Sequence, residues 1–475
     1  MAPYNKTRQV KLMNKNAYKI NFKQPIHLHF IGIGGISMSG LAEILLKEDF
    51  CISGSDARET PLTEKLASLG AKIYYGQRAA NIENGTDAVV YTAAIHPDNP
   101  ELKAAVDQQI PTLTRAELLG QIMENYQQSV AVAGTHGKTT TTSMITDIFL
   151  ETCCDPTVSV GGILKSIDGN IRVGQSDYFL TEACEYTNSF LNFYPKFAII
   201  LNIEEDHMDY FRDLAHIRHS FHQFAENICP DGALIINEEI ENYQELTKDL
   251  NCKIITYGLT PSDSYYADNI TFNTEGCGNF TLMYGNTMLG DISMNVPGTH
   301  NISNAVAACA LAAELNLPFH AVQASLAQFS GTARRFEHKG ELGGIAIVDD
   351  YAHHPTEITA TLTAAKNCGK NRIVCVFQPH TYTRTQAFLK EFAQALSAAD
   401  VVVLADIYAA REQNTIGISS TDLQKELQNL GTECYYFPSF DEIENFLLKK
   451  CINGDLLITM GAGDIVQVGE HLLGR

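Results

Sequence analysis

The stretch "SVAVAGTHGKTTTTSMI", from Ser129 to Ile145, ties this chain to one local architecture. A short apolar run reads as a strand, Gly134 and Gly137 interrupt it, and the residues after Lys138 read as a helix. A standard phosphate loop is G-x-x-x-x-G-K-[ST]. Here Val132 stands five residues before Gly137 and the first glycine comes late, which leaves G-x-x-G-K-T. The mechanics survive the shortening. Backbone N–H groups along Gly134, Thr135, His136 and Gly137 face a phosphate, Lys138 adds a point charge, and Thr139 and Thr140 open the helix. ATP is the expected ligand, with the Thr139 hydroxyl placed to hold Mg²⁺. The alternative is an ordinary strand-to-helix turn carrying a chance Gly-Lys-Thr, which the strand–loop–helix context disfavours.

At 475 residues the chain is too long for one core, and about 150 residues per domain suggests three. After a basic tail (1–25), residues 26–125 open with a βαβ pattern, "IHLHFIGIGGISMSGLAEILLKEDFCISGSD". Residues 126–331 hold the phosphate loop, strands at "DYFLTEA", "KFAIILNI", "ALIINEE" and "KIITYGL", and a β-rich insert, "ITFNTEGCGNFTLMYGNTMLGDISMN". Residues 332–475 alternate again, with strands at "GIAIVDD", "RIVCVFQP", "VVVLADIY", "ECYYFP" and "DLLITMGAGD". The expected fold class is α/β: a Rossmann-like N-terminal domain, a central P-loop domain with a mixed sheet, and a Rossmann-like C-terminal domain.

A net charge of −21 excludes nucleic acid as a general partner, since phosphate backbones need clustered Lys and Arg. No apolar run reaches the roughly 18 residues of a membrane span. The 12 cysteines include no CxxC pair, and such thiols stay reduced in a cytosol, so a cytoplasmic location is expected. Oligomeric state is not legible.

"GIGGIS" resembles a dinucleotide loop, with Gly32, Gly34 and Gly35, and with Asp56 at the end of the next strand. Ser37 occupies the third fingerprint position, which weakens an NAD reading and leaves a pyrophosphate site, suited to a nucleotide-sugar, at the helix N-terminus. A structural turn is the alternative. Glu182 and His207 each follow an apolar strand of the central segment, where strand ends converge on the nucleotide.

"GIGGISMSG", "AGTHGKTTTT", "NIEEDHMDYF", "PGTHNISNA", "RRFE", "DDYAHHPTEI", "QPHTYTRT" and "MGAGD" follow one another in that order. From about Ile26 to the C-terminus this order resembles the Mur ligase family. The resemblance implies three domains that bind a UDP-sugar, ATP and an incoming amino acid. It implies attack of the lactyl carboxylate of UDP-N-acetylmuramate on the γ-phosphate of Mg-ATP, then displacement of phosphate by L-alanine, in peptidoglycan precursor synthesis. A nearby activity of the family attaches a whole peptide to the same UDP-sugar.

Carried onto this chain, the resemblance makes Lys138, Glu182 and His207 catalytic, with Thr139, Glu182 and His207 holding metal. His300, Asn301 and Asn304 would hold adenine, although Asn301 or Ser303 also reads as a helix N-cap. Arg335 and Asp350 would reach ATP from the C-terminal domain, a surface salt bridge being the alternative. His380 and Arg384 would lie near the amino acid, with Tyr351, His353 and His354 lining the same cleft. The chain departs from the family at "EACEY", where many members have E-A-D-E-S, and at Thr381, where many have Arg. Arg384 is then the expected carboxylate anchor, and the choice among L-alanine, glycine and L-serine stays open.

Overall fold

The computed structural model describes residues 18–92, 94–261, 264–410 and 412–475. Most of the basic tail therefore lies outside the described residues. The chain forms three sheets in sequence order. The first contains β1 (His27–Ile31), β2 (Cys51–Asp56), β3 (Lys72–Tyr75), β4 (Ala88–Tyr91) and β5 (Thr112–Thr114), ordered β3-β2-β1-β4-β5 and parallel throughout.

The central sheet has ten strands: β6 (Gln128–Ala133), β7 (Thr157–Leu164), β8 (Gly169–Arg172), β9 (Tyr178–Ala183), β10 (Phe197–Ile200), β11 (Ala233–Asn237), β12 (Lys253–Gly258), β13 (Tyr265–Phe272), β14 (Cys277–Tyr284) and β15 (Thr287–Pro297). Its order is β15-β14-β13-β12-β11-β10-β6-β9-β7-β8. The strands β7, β9, β6, β10, β11, β12 and β13 run parallel, and antiparallel pairs close both edges. Strands β10 and β11 are buried at every position, and up to Asn237 they are unbroken apolar runs, as strands covered on both faces require.

The third sheet contains β16 (Glu337–Leu342), β17 (Ile345–Asp350), β18 (Arg372–Phe377), β19 (Val401–Leu404), β20 (Glu433–Tyr436) and β21 (Asp455–Met460), ordered β16-β17-β21-β18-β19-β20. Only β16 is antiparallel, a polar edge strand ("EHKGEL") that carries no apolar signal in the sequence. The hairpin β7–β8 was also not expected, because Gly161 and Gly162 interrupt its alternation.

One apolar core runs without a break from the N-terminal domain into the central one. Leu118, Leu119 and Ile122 of the helix Arg115–Met123 share it with Phe190, Phe193 and Phe221. The C-terminal domain keeps its own cores on the two faces of its sheet. It meets the central domain through polar groups: Arg384 Nη2 to Asp206 Oδ1 at 2.8 Å, His354 Nε2 to the Glu205 carbonyl at 3.1 Å, and Thr356 Oγ1 to Glu204 at 2.5 Å. The connection passes through Gly331, Arg334 and Phe336, all at positive φ, and is pinned by Thr332 Oγ1 to Ser143 Oγ at 2.9 Å.

Candidate active site

Strand β6 ends at Ala133 and the helix Lys138–Glu151 begins five residues on, with Gly137 in the left-handed region at its N-cap (φ +84°). The segment after β10 braces the loop between them. The His136 N–H donates to Asn202 Oδ1 at 2.8 Å, and the Glu204 N–H donates to Thr135 Oγ1 at 2.9 Å. The first-turn N–H groups of Lys138, Thr139 and Thr140 have no intrahelical acceptor and form an anion hole.

Lys138 Nζ lies against the carbonyls of Gly134 and Thr135 and donates to Glu185 Oε2 at 2.9 Å. Burial opposes its charge, but Glu185, Cys184 and Glu182 together hold it above the ordinary lysine value. Thr139 Oγ1 donates to Glu182 Oε2 at 3.1 Å, and the Gly161 N–H from β7 donates to the other carboxylate oxygen. Burial raises the Glu182 carboxyl above its usual range despite Gly161 and Lys138. His207, at φ +54°, points its Nε2 toward Glu185 Oε1 at 3.7 Å and Asp206 Oδ2 at 3.8 Å, its ring against Tyr186 with centroids 4.5 Å apart. Thr139 and Glu182 thus form an oxygen pair, while His207 stands by Glu185, the acid that Lys138 also contacts.

A cavity of about 290 Å³ opens beside the loop, lined by His136, Thr140, Tyr257, His300, Asn301 and Asn304 from the central domain and by Arg335, Asp350 and Glu357 from the C-terminal one. Asn301 Nδ2 donates to the Pro297 carbonyl at 2.7 Å and Asn304 Nδ2 to Asn301 Oδ1 at 3.2 Å. The helix Thr299–Glu314 has Gly298 at its N-cap, so neither Asn301 nor Ser303 caps it. Enclosure by the cleft lowers His300 to about 4. Asp350 is not a surface group. It accepts the N–H groups of Phe336 and Ala352, each at 2.8 Å, and burial raises it to about 6. Arg335 lies over the Tyr351 ring at 5.2 Å and pairs with Glu357 at 3.8 Å.

A second cavity, about 660 Å³, sits between Tyr186, Asp206, His207 and Met208 on one side and His380, Thr381, Arg384 and Glu412 on the other. Burial opposes charge on Asp206, yet Arg384 and His207 hold its carboxyl far below the usual range. Burial and the Arg384 cation lower His380 to about 4. His353 also falls to about 4 through burial; its Nδ1 lies 3.0 Å from the Tyr351 carbonyl and its ring meets His380 edge-on at 5.7 Å. His354 turns away, capping the helix Pro355–Lys366 and reaching back to Glu205.

In the N-terminal domain the glycine loop spends its N–H groups internally. Gly32 and Ile33 donate to the Ser55 carbonyl, Gly34 to Asp56 Oδ2 at 2.8 Å, and Gly35 to the Gly32 carbonyl. Asp56 therefore holds the loop, and the N–H groups left for an anion are those of the helix Ile36–Lys47 around Ser37. Arg115 Nη1 donates to Ser37 Oγ at 3.0 Å, and no carboxylate pairs with Arg115 among the described residues.

Sequence reasoning missed Glu185, Glu204, Asp206, Glu357 and Arg115. The four acids stand within a few residues of groups it did single out, in "EACEY", "NIEEDH" and "HHPTE". Burial pushes Glu357 up, but His353, His136 and Arg335 hold it well below the carboxylate range.

Family models match three consecutive stretches: "Mur ligase family, catalytic domain" over residues 27–127, "Mur ligase middle domain" over 132–312 and "Mur ligase, glutamate ligase domain" over 334–463. A UDP-N-acetylmuramate--L-alanine ligase of Agathobacter rectalis is 60% identical over 96% of this chain and 99% of its own length. One from Lachnospira eligens is 55% identical over 96% of this chain and 100% of its own. Among solved structures, the UDP-N-acetylmuramate-alanine ligase of Thermotoga maritima superposes with a TM-score of 0.78 at 29% identity, covering 95% of this chain and 99% of that one. A murein peptide ligase from Psychrobacter arcticus shares the fold at 24% identity and a TM-score of 0.68, covering 94% and 98%. Three cleft-forming domains in this order, and relatives this similar over nearly their whole length, establish that the chain belongs to the Mur ligase family.

Proposed function

We propose that the protein is an ATP-dependent ligase that joins L-alanine to the lactyl carboxylate of UDP-N-acetylmuramate, releasing ADP and phosphate, in peptidoglycan precursor synthesis. The reading rests on full-length relatives of that activity at 60% and 55% identity. The layout of the cleft supports it: a nucleotide-sized cavity and an Arg384-lined cavity flank the group Lys138, Glu182, Glu185 and His207.

The adenine end of ATP lies against His300, Asn301 and Asn304, and its phosphates lie over Gly134–Thr140. The UDP-sugar approaches along Ser37 and the neighbouring glycines Gly32, Gly34 and Gly35, with Asp56 as their brace. A carboxylate oxygen attacks the γ-phosphorus, the bond to the β-phosphate oxygen breaks, and ADP leaves an acyl phosphate. Lys138 offsets the charge that builds as two anions meet. The Thr139 hydroxyl and Glu182 carboxylate suit a hard cation, so these two, with His207, would hold Mg²⁺, which would supply further charge neutralisation. The amino acid's carboxylate pairs with Arg384 near His380, Tyr351 and His353. Its neutral amine attacks the acyl carbon, and the tetrahedral adduct collapses with loss of phosphate.

Enclosure by the C-terminal domain through Arg335 and Asp350 keeps water from the acyl phosphate. The 12 unpaired cysteines suit a reducing, cytoplasmic setting, and no helix among the described residues is long and apolar enough to cross a membrane. Phosphate release from Mg-ATP and UDP-N-acetylmuramate, compared with no amino acid, L-alanine, glycine, L-serine and an L-alanine-containing peptide, tests the assignment. Turnover that requires L-alanine is expected; turnover with the peptide alone would assign the chain to peptide recycling.

A further inference from the structure

We propose that His136, Glu204 and His354 form a binding site for a zinc-class cation that ties the central domain to the C-terminal one. One ligand atom from each of the three lies within 4.8 Å of the others. His136 comes from the phosphate loop and Glu204 from the segment that braces it. His354, 5% exposed, comes from the C-terminal domain across the cleft.

The surroundings of the two imidazoles carry the argument. His136 Nδ1 lies 3.2 Å from Glu357 Oε1, while its Nε2 is buried without a hydrogen-bond partner, 3.5 Å from Glu204 Oε2. This is the carboxylate–histidine arrangement that orients a metal-binding ring and raises its basicity. His354 is held in the same way by its Nε2 contact to the Glu205 carbonyl at 3.1 Å. Its Nδ1 lone pair accepts the Thr356 N–H at 3.4 Å as the cap of the helix Pro355–Lys366, a long bond that a metal at Nδ1 would replace. Thr356 Oγ1 orients Glu204 with a 2.5 Å bond.

Each ring thus has one nitrogen held by an oxygen, and the two ring centroids lie 4.7 Å apart. Two imidazoles and one carboxylate with an open fourth position suit Zn²⁺ or Co²⁺, not Mg²⁺, which prefers oxygen donors. His136 enters as neutral imidazole and its Nε2 proton passes to solvent, so a dication replaces a monocation between Glu204 and Glu357. Zinc at about 2.0 Å from each ligand draws the three atoms inward and clamps the cleft.

Cobalt titration of the full-length protein tests the site, because the free thiols give a different spectrum. Compared with His354→Gln and Glu204→Gln, each first checked for wild-type melting in EDTA, the parent protein is expected to bind one further equivalent of Co²⁺. The difference spectrum should show visible ligand-field bands and no near-ultraviolet thiolate charge-transfer band. Equal uptake by parent and variants, or a thiolate band in the difference, overturns the site. Small-angle scattering with Zn²⁺ reads the clamp: the parent should become more compact and His354→Gln should not, and an identical response of both overturns the clamp.

Discussion

Gly161→Ala probes Glu182, the proposed catalytic carboxylate, without substituting it. A Cβ at Gly161 would stand 2.9 Å from both oxygens of Glu182 and 3.1 Å from its Cδ. Because both oxygens are equally close, rotating the carboxylate gives no relief. The group must retreat by about half an ångström to restore ordinary contact. The retreat stretches the Gly161 N–H bond and the 3.1 Å bond from Thr139. Losing one hydrogen bond to a charged group is worth about 1.5–3 kcal/mol. At about 1.36 kcal/mol per tenfold, kcat should fall about 10- to 150-fold. The Mg²⁺ requirement should rise as well, since Glu182 is a proposed ligand. Gly161 is not at positive φ, so the backbone accepts alanine, and the weakened bonds should lower the melting temperature by only a few degrees. Coupled ADP-release kinetics across a Mg²⁺ series, beside a binding titration with UDP-N-acetylmuramate, separate the effects. Wild-type kcat and Mg²⁺ dependence would refute the assignment of Glu182, and a parallel loss of UDP-sugar binding would indicate general distortion instead.

Lys138→Met should abolish turnover while leaving UDP-sugar binding intact, because the lysine faces the loop carbonyls and Glu185 and not the N-terminal domain; calorimetry and phosphate release check both halves. Arg384→Met removes the proposed amino-acid anchor and leaves Asp206 buried without its 2.8 Å partner, a loss of about 2–5 kcal/mol. The KM for L-alanine should rise at least tenfold and the scattering radius should increase. His380 is lowered from 6.5 to about 4, so it is neutral at pH 7, and the folded state resists its protonation. A depressed histidine contributes stability that is present above pH 6.5 and lost as pH falls toward 4. His380→Gln should therefore flatten that part of the acid-stability profile, which thermal melts at stepped pH would reveal.

The parallel strands were legible because burial on both faces writes an unbroken apolar run, as in "KFAIILNI" and "RIVCVF". The strand–loop–helix around Gly134 to Thr139 was legible because its signal is local: an apolar strand, two glycines and a helix start follow one another within a few residues. Partners set by packing between distant segments were not. Asp206 meets Arg384 across 178 residues and His354 meets Glu205 across 149, and neither pairing leaves a periodic trace. The two adjacent histidines show the limit most clearly. A pair before a proline reads as a turn, yet His353 faces Glu357 and His380, while His354 caps a helix and crosses to the central domain. The hairpin β7–β8 was missed for another reason: Gly161 breaks the strand pattern because Glu182 needs the space a side chain would fill.

The two domain junctions differ in physical kind, and that difference assigns the moving part. Separating the N-terminal domain would expose Leu118, Leu119, Ile122, Phe190 and Phe193 to water, at about 1.5–3 kcal/mol for each side chain fully uncovered. Those two domains therefore behave as one body. Separating the C-terminal domain breaks Arg384–Asp206, Thr356–Glu204 and His136–Glu357, and water replaces most of what those contacts provide. Docking there is close to balanced, so a ligand that touches both sides can set the equilibrium. ATP is such a ligand under the proposed assignment, lying over the phosphate loop while meeting Arg335 and Asp350. An acyl phosphate must be shielded from water during the reaction and its product released afterwards. A polar, reversible junction on one side of a rigid apolar pair meets both requirements.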